Sequence, residues 1–558
     1  MGIRGGFEIL AQLSPDSERV PMMYRAQIDG RCSLHFAGKD NQDLDNWLEQ
    51  WTHAGAQNQS HYQHQEPKLG WDGSIYRIEV EFPWRLFSDC GQDSIARPVI
   101  GKNGIPVIPG SSVKGLFRRV CDEEQLEKYC GGAQGLDPST VGFRFHGAYP
   151  VGNWCDRIAD LVHPQQSRQV EHKGDASAYA LISLYRPQMV FEFSAAEHTQ
   201  VDWQEIHELL KAALQQGVGG KTSTGYGMGG HEPGQAPNYP PPVRMVRLAG
   251  MGTKSVLRTD IPEFRPNLFK ATLRSHTQRL LGGLCANRQV VDTAVRNFFG
   301  SSERPGKIQI TWDDRSNNDP KIEDYSVSGI LKFADNPANR NKSASGTPTK
   351  TYNIPGVLRF SGNPTDVEFL FQILQFAYTM GGFGKSWRRV WHKEFYPDYP
   401  KLNKFHIGCH WESRDIVVPK SSEELAIFID DLIQKCQHVI QSANNRPSSW
   451  AETWHRDRVA VFSHLTSSST AIKLFHYKAF KNTIAVGGRK PKPKELSVSS
   501  VWHRMLPVSE AKFLEIVTLF HKDTQIWRHE GQNQLSPFIE ALEQSGLSLT
   551  WGQHPFSR

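Results

Sequence analysis

IPVIPGSSVKGLFRRV, Ile105 to Val120, is the stretch that organises this chain. An apolar lead runs into a Gly110-Ser111-Ser112 turn, and the helix start that follows carries Lys114, Arg118 and Arg119. Hydroxyls beside unfilled helix amides and a lysine make an anion-binding end. The plainer alternative is an N-capped helix with a solvated basic face. Downstream, VDWQEIHELLKAALQQ (Val201 to Gln216) reads as an amphipathic helix capped by Asp202, with Ile206, Leu209, Leu210, Ala213 and Leu214 on one face. It runs straight into GVGGKTSTGYGMGG, Gly217 to Gly230.

The same order returns. FRPNLFKATLRSHTQRLL (Phe264 to Leu281) places Lys270 and Arg274 on a helix start with the four-residue step of Lys114 to Arg118. NPTDVEFLFQILQFAYTM, a second apolar helix, then runs into GGFGKSWRRVWHK, Gly381 to Lys393. Lys114 and Lys221 stand 107 positions apart, Lys270 and Lys385 115, and the copies are offset by 156 and 164. Agreement of order, composition and spacing implies an internal repeat.

Between these anchors lie strand-like runs, YALISLY, MVFEFS, KIQITW and GVLRFS, alternating with helices. The expected class is α+β, two tandem ferredoxin-like (RRM-related) domains with helices on one face of each sheet. The first spans 1–235, a Pro-rich linker 236–243, and the second 244–558 with a mainly helical insertion at about 392–474. IAVGGRKPKPKELSVSSVWHRMLPV is expected to be a basic turn between two strands, and SEAKFLEIVTLF the closing strand and helix.

The glycine loop GVGGKTSTGYG fails as a nucleotide-hydrolysing P-loop. Such a loop follows a buried strand and opens a helix. Here a helix precedes, none follows, and Gln215 occupies the first required glycine position. Two readings remain: a turn that redirects the chain, or a phosphate-backbone contact. In the second, Gly217, Gly219 and Gly220 allow close approach, Lys221, Thr222 and Ser223 donate, and Tyr226 stacks on a base. Gly382, Gly384, Lys385, Trp387, Arg388 and Arg389 repeat that composition.

Composition bounds the rest. With 558 residues, 38% hydrophobic and 11% aromatic, the chain can bury cores, which excludes global disorder. Mean hydropathy is −0.51, and the most apolar run, Phe369 to Met380, falls short of the ~18–20 residues of a bilayer span. The start MGIRGGFEILAQL lacks a signal-peptide layout, so a cytoplasmic protein is expected. A net charge of +6, with 22 histidines besides, favours nucleic acid weakly; clustering decides. The eight cysteines form no CxxC pair and read as free thiols. His406, Cys409 and His410, with His392 upstream, are the densest metal-like cluster, but the second ligand pair is missing, so no metal is expected.

IPGSSVKG followed by basic residues, together with the downstream GVGGKTSTGYG, resembles the RAMP superfamily of CRISPR-associated backbone subunits that build type III (Csm and Cmr) effector complexes. The resemblance spans about Glu79 to Gly230, takes in FHGAYPV and RPQMVFEF, and within the family is greatest to the subunit capping the Cmr filament. The second half follows more loosely through FRPNLFKATLR, FFGSSERPGKIQITW and GGFGKSWRR, and the late GGRKPKPKELSVSSVWHRMLPV resembles the family's closing hairpin. The resemblance implies a guide-RNA-binding (crRNA) subunit with complementary target RNA and other type III subunits as partners, acting in antiviral defence with no membrane. It also implies contacts through the paired loops.

Such subunits commonly cut target RNA with a loop aspartate ahead of the IPGSS-type turn. Here that position reads Ala96, with Asp89 and Asp93 out of register, whereas RTDIPEFRPNLFK keeps Asp260 with a shorter spacer. Asp260 is therefore the candidate for promoting in-line attack by a ribose 2′-OH, with Mg2+ needed only if cleavage occurs. A third class, a precursor-processing endoribonuclease, would use His231 or His392 as general acid or base.

Overall fold

The structure, a computed structural model, describes residues 75–88, 98–99, 105–132, 137–152, 154, 157–162, 166–171, 179–197, 199–253, 255–256, 262–301, 304–313, 322–325, 349–396, 408–440, 446–487, 499–509 and 511–556. These fall into two compact units, one holding 75–162 and 179–241, the other 166–171, 242–256 and 262 onward.

In the first unit, β1 (Tyr76–Glu81), β2 (Ile108–Pro109), β3 (Arg144–Val151) and β6 (Gln188–Ser194) form an antiparallel sheet in the order β1-β6-β3-β2. A hairpin of β4 (Ala159–Val162) and β5 (Tyr179–Ile182) stands between β3 and β6 in sequence. Helices α1 (Gly110–Phe117), α2 (Glu123–Cys130) and α3 (Trp203–Gln215) complete it. Glu81 bridges His231 antiparallel, so the segment after α3 returns beside β1. That gives strand, helix, strand, strand, helix, strand, with the returning segment outermost.

α3 forms as its sequence dictates. Asp202 accepts from the amides of Gln204 (2.9 Å) and Glu205 (3.2 Å), a cap worth about 1 kcal/mol. The five predicted apolar residues are all buried. They join Val113, Phe117, Phe191 and Phe193 in one core, each fully buried side chain contributing roughly 1.5–3 kcal/mol. The expected linker is partly docked in this unit: Tyr239 is buried and its hydroxyl accepts from Trp84 Nε1 (3.2 Å).

The second unit repeats the topology. β7 (Arg244–Thr253), α4 (Asn267–Leu284), α5 (Arg288–Phe299), β8 (Ile308–Asp313), β10 (Thr349–Gly362), α6 (Pro364–Met380) and β11 (Cys409–Glu412) give the order β8-β10-β7-β11, with β9 (Ile322–Tyr325) added on β10. The outer strand again follows the second helix and pairs with the first strand.

The expected helical insertion needs correcting. It does contain a helix, α7 (Ser422–Val439), but β11 and β12 (Val459–Thr466) also lie within 392–474. β12 opens a third antiparallel sheet with β13 (Val501–Ser509), β14 (Lys512–Phe520) and β15 (Ser548–Gly552), ordered β13-β14-β12-β15. Helices α8 (Ala471–His476) and α9 (Leu535–Gln544) take the two helix positions, so strand order and connectivity recur a third time. SEAKFLEIVTLF supplies the last residue of β13 and the whole of β14, with no helix among its described residues, and Ile484–Gly487 is a helical turn rather than a strand. The basic stretch 488–498 lies outside the described residues.

The short helix Gln166–Glu171, which lies between β4 and β5 in sequence, belongs to the second unit. Val170 is buried there with its carbonyl accepting from Glu452 N (2.9 Å), and Glu171 pairs with Arg288 (2.8 Å). Among the described residues no helix is long and apolar enough to cross a membrane.

Candidate nucleic-acid interface

α1 starts where β3 bulges between Phe145 and Gly147. A side chain at Gly110 would put its Cβ 2.0 Å from the Phe145 carbonyl oxygen, so this turn requires glycine. The consequence is a helix N-terminus set tightly on the sheet edge. Ser111, Ser112 and Arg119 are exposed there, and Lys114 and Arg118 half-buried; Arg118 also donates to the Gly132 carbonyl (3.0 Å).

The glycine loop is anchored through its backbone. Gly217 and Gly219 take φ of 86° and 78°, and Gly220 N donates to Phe87 O (2.7 Å). Gly227 N donates to Arg85 O (2.7 Å). Lys221 itself sits at φ 61°, a left-handed conformation costing of order 1 kcal/mol for a side-chain-bearing residue. Lys221, Thr222 and Ser223 are half-buried and Gly219 is exposed.

Loop and helix start belong to one ribbon of backbone hydrogen bonds. From Gly220–Phe87 it continues through Val99 N to Ser88 O (2.9 Å) and Val107 N to Val99 O (2.9 Å), reaching the segment that enters Gly110. Tyr226 requires a correction. It is buried, and its hydroxyl donates to Asp160 Oδ2 (2.5 Å), so it serves as an internal brace instead of a base-stacking ring.

In the second unit the corresponding elements touch directly. Phe269 on the first turn of α4 packs against Phe383 of the loop (centroids 5.2 Å), and Trp411 Nε1 donates to Phe383 O (3.1 Å). Lys270 is half-buried, and desolvation lowers its ammonium to about 8. Arg274, also half-buried and with its guanidinium lowered by desolvation, donates to Gly300 O (3.3 Å). Gly382 is buried against Cys409 Sγ, whereas Lys385 is exposed, Gly384 is half-buried at φ 92° and Ser386 holds the left-handed φ of 62°.

Beyond Ser386 the expectation fails for three residues. Trp387 is buried 5.0 Å from His276 and 4.9 Å from Trp502, ring to ring. Arg388 donates through both Nη atoms to Glu452, which also takes Arg279 Nη2 (2.7 Å), and Glu452 is wholly buried. Arg389 donates to Val501 O and to Val486 O (3.0 Å). Arg388 and Arg389 tie the loop to the third sheet and face no solvent.

Among the described residues the third sheet has no open equivalent. Where α8 begins, the buried Glu515 carboxylate accepts from Thr470 N (3.1 Å), Ala471 N (3.1 Å) and Ser469 Oγ (2.6 Å), between His464 and His503. These donors hold its pKa far below the usual carboxylate range against the opposing desolvation.

Asp260, Ala96, Asp89 and Asp93 lie outside the described residues, as does His406. His231 has Nδ1 2.8 Å from Gly229 O and Nε2 4.0 Å from Glu81, on the segment that returns beside β1. His392 is 2% exposed, and desolvation holds its imidazole well below 6.5, so it reaches no substrate. Burial pushes the Cys409 thiol up to about 11, His410 faces Glu412 and Arg504, and the described residues hold no cluster that could bind a metal.

Among the described residues the chain is α+β, with three larger antiparallel sheets of shared connectivity, two of them carrying a basic helix start linked to a glycine loop. Among solved structures it is distantly similar to apo Cmr1 from Pyrococcus furiosus, at 12% identity and TM-score 0.36 over 55% of this chain and 98% of that one. It is likewise similar to chains of the type III-B Cmr-beta complex bound to cognate target RNA. One, with AMPPnP in the presence of ssDNA, gives 10% identity and TM-score 0.33 over 54% of this chain and 98% of that one. The other gives 10% and 0.31 over 50% and 94%. No protein-family profile and no curated protein sequence matches.

Proposed function

We propose that the chain is a guide-RNA-holding backbone subunit of a type III CRISPR effector complex, built from repeated ferredoxin-like RAMP domains. The observation that carries this reading is the first unit's ribbon, which sets Ser111, Ser112, Lys114 and Arg119 on the same backbone scaffold as Gly219, Lys221, Thr222 and Ser223. Amides, hydroxyls and cations of that kind bind phosphodiester backbone without reading bases, leaving sequence to guide–target pairing. Lys270, Gly384 and Lys385 are the second unit's counterpart. Trp387, Arg388, Arg389 and Tyr226 support these surfaces from inside.

The test is a salt titration of guide-RNA binding with Lys114, Lys221, Lys270 and Lys385 reversed to Glu. Each lost phosphate contact should flatten the slope of log affinity against log salt by roughly 0.7. A slope identical to that of the unaltered protein would sink the interface.

A further inference from the structure

The three sheets differ at one edge. In the second unit β11 pairs with residues 249–252 of β7, and β15 pairs in the same antiparallel way with residues 460–463 of β12. In the first unit the returning segment pairs with β1 at a single residue. Glu81 and His231 exchange both backbone bonds, N to O at 2.7 and 3.0 Å, and the chain then turns away. Pro233 has no amide to continue the ladder, Gly234 takes a φ of 80°, and Gln235 N donates to Glu232 O (3.0 Å). The segment settles on α3 instead, where Asn238 Nδ2 donates to Lys211 O (2.7 Å) and Asn238 Oδ1 accepts from Gln215 Nε2 (2.9 Å).

What this leaves is an open strand edge beside a cavity. Alternate residues of an antiparallel strand turn the same way, so Arg77 and Glu79 point N–H and C=O outward as Glu81 does, and among the described residues no strand meets them. Next to them, between β1, α3 and the segment 230–239, opens a cavity of about 400 Å³ with Ile78, Val80, Leu210 and Leu214 on its apolar side. The opposite face of the strand is acidic. Glu79 is exposed there and Glu81 half-buried, whereas Arg77 is taken by Glu192 (2.9 Å). Such a row of backbone donors and acceptors is a template for a further strand unless something covers it.

We infer that the open edge of β1 takes, by antiparallel strand addition, an extended segment of another polypeptide in which apolar and basic residues alternate. The pleat sets that pattern, because side chains of β1 alternate between the cavity and the acidic face and an added strand must do the same. Its apolar side chains enter the cavity, and its basic ones face Glu79 and Glu81. Its backbone completes the ladder that β11 and β15 complete in their own sheets, and the four residues of β11 show how short such a strand can be. The site stands on β1 and α3, apart from the residues assigned to RNA, and does not depend on that reading.

The experiment uses the full-length chain and a fluorescein-labelled hexapeptide of alternating lysine and valine, followed by anisotropy. The unaltered protein should bind it, and Glu79→Lys, a change at an exposed position, should weaken binding about tenfold. N-methylation of the lysine amides should abolish binding, because in an antiparallel ladder the residues opposite Arg77 and Glu79 donate to them and share their face. N-methylation of the valine amides, which point away from β1, should leave binding intact. Absence of binding by the unaltered protein, equal binding by Glu79→Lys, or equal binding of the lysine-methylated peptide would each overturn strand addition. A protein that self-associates, and becomes monomeric on Glu79→Lys, would put a second copy on the edge and overturn the partner assigned here.

Discussion

The two glycine loops share a composition and differ in what they do with it. GVGGKTSTGYG keeps Lys221, Thr222 and Ser223 partly at the surface and is held by backbone donors to Phe87 and Arg85. GGFGKSWRR shows solvent Lys385 and Ser386, then drives its arginines into the interior toward Glu452, Val486 and Val501. The deciding partner is a carboxylate 64 positions downstream of Arg388. A basic run is therefore a surface only if no buried acid claims it, and local sequence does not say which holds.

The sharpest way to break this contrast is Glu452→Gln. It leaves Arg279 and Arg388 buried without their carboxylate, which should destabilise the second unit by about 3–5 kcal/mol. Calorimetry should then show that unit melting early with the first unit's transition unmoved; a single unshifted trace would refute the bracing role of Glu452.

Acid should distinguish the units next. Desolvation holds His276, His392 and His503 below 6.5 in the folded second unit, and lowers His476 to about 4. Their unfolded imidazoles take up protons near 6.5, so the unfolded state binds more protons below that pH. Stability is thus full above about 6.5 and declines as pH falls toward 4, by up to about 1.4 kcal/mol per pH unit for each group. A second-unit melting temperature that is flat from pH 7 to 4.5 would contradict this burial.

Smaller in energy but direct is the pair Arg119→Ala and Arg388→Ala. The first should cut the RNA salt slope by roughly 0.7 with no loss of stability, and the second should do the reverse. Equal slopes in both variants would erase the distinction between loops. Last, Asp260→Ala should remove one position from a target-RNA cleavage ladder while assembly stays intact, if the second copy cuts; an unchanged ladder ends the nuclease reading of Asp260.

Much of this was legible in the residues. Asp202 and its five-residue apolar face specified α3, and the two lysine pairs marked equivalent helix starts and loops in two sheets of like connectivity. The third sheet was legible only in part: the runs that form β13 and β14 read as strands, but β12 and β15 did not. VAVFS in β12 is buried on both sides of a central strand, so it lacks the alternation that marks a half-exposed one. The long capped helix α7 before it coloured the whole stretch helical. Tyr226 and Trp387 were misassigned because an aromatic beside glycines fits a stacking platform or a core equally well until its neighbours are known.

The short helix Gln166–Glu171 has a consequence for how the polypeptide can be taken apart. It leaves the first unit's chain, beds Val170 in the second, and the chain then returns to form β5. A protease that nicks the Pro-rich connector near 241 therefore produces two fragments, one of which still has six residues stitched into the other. Such a nicked protein should elute from a sizing column as one species under native conditions and run as two bands only after denaturation.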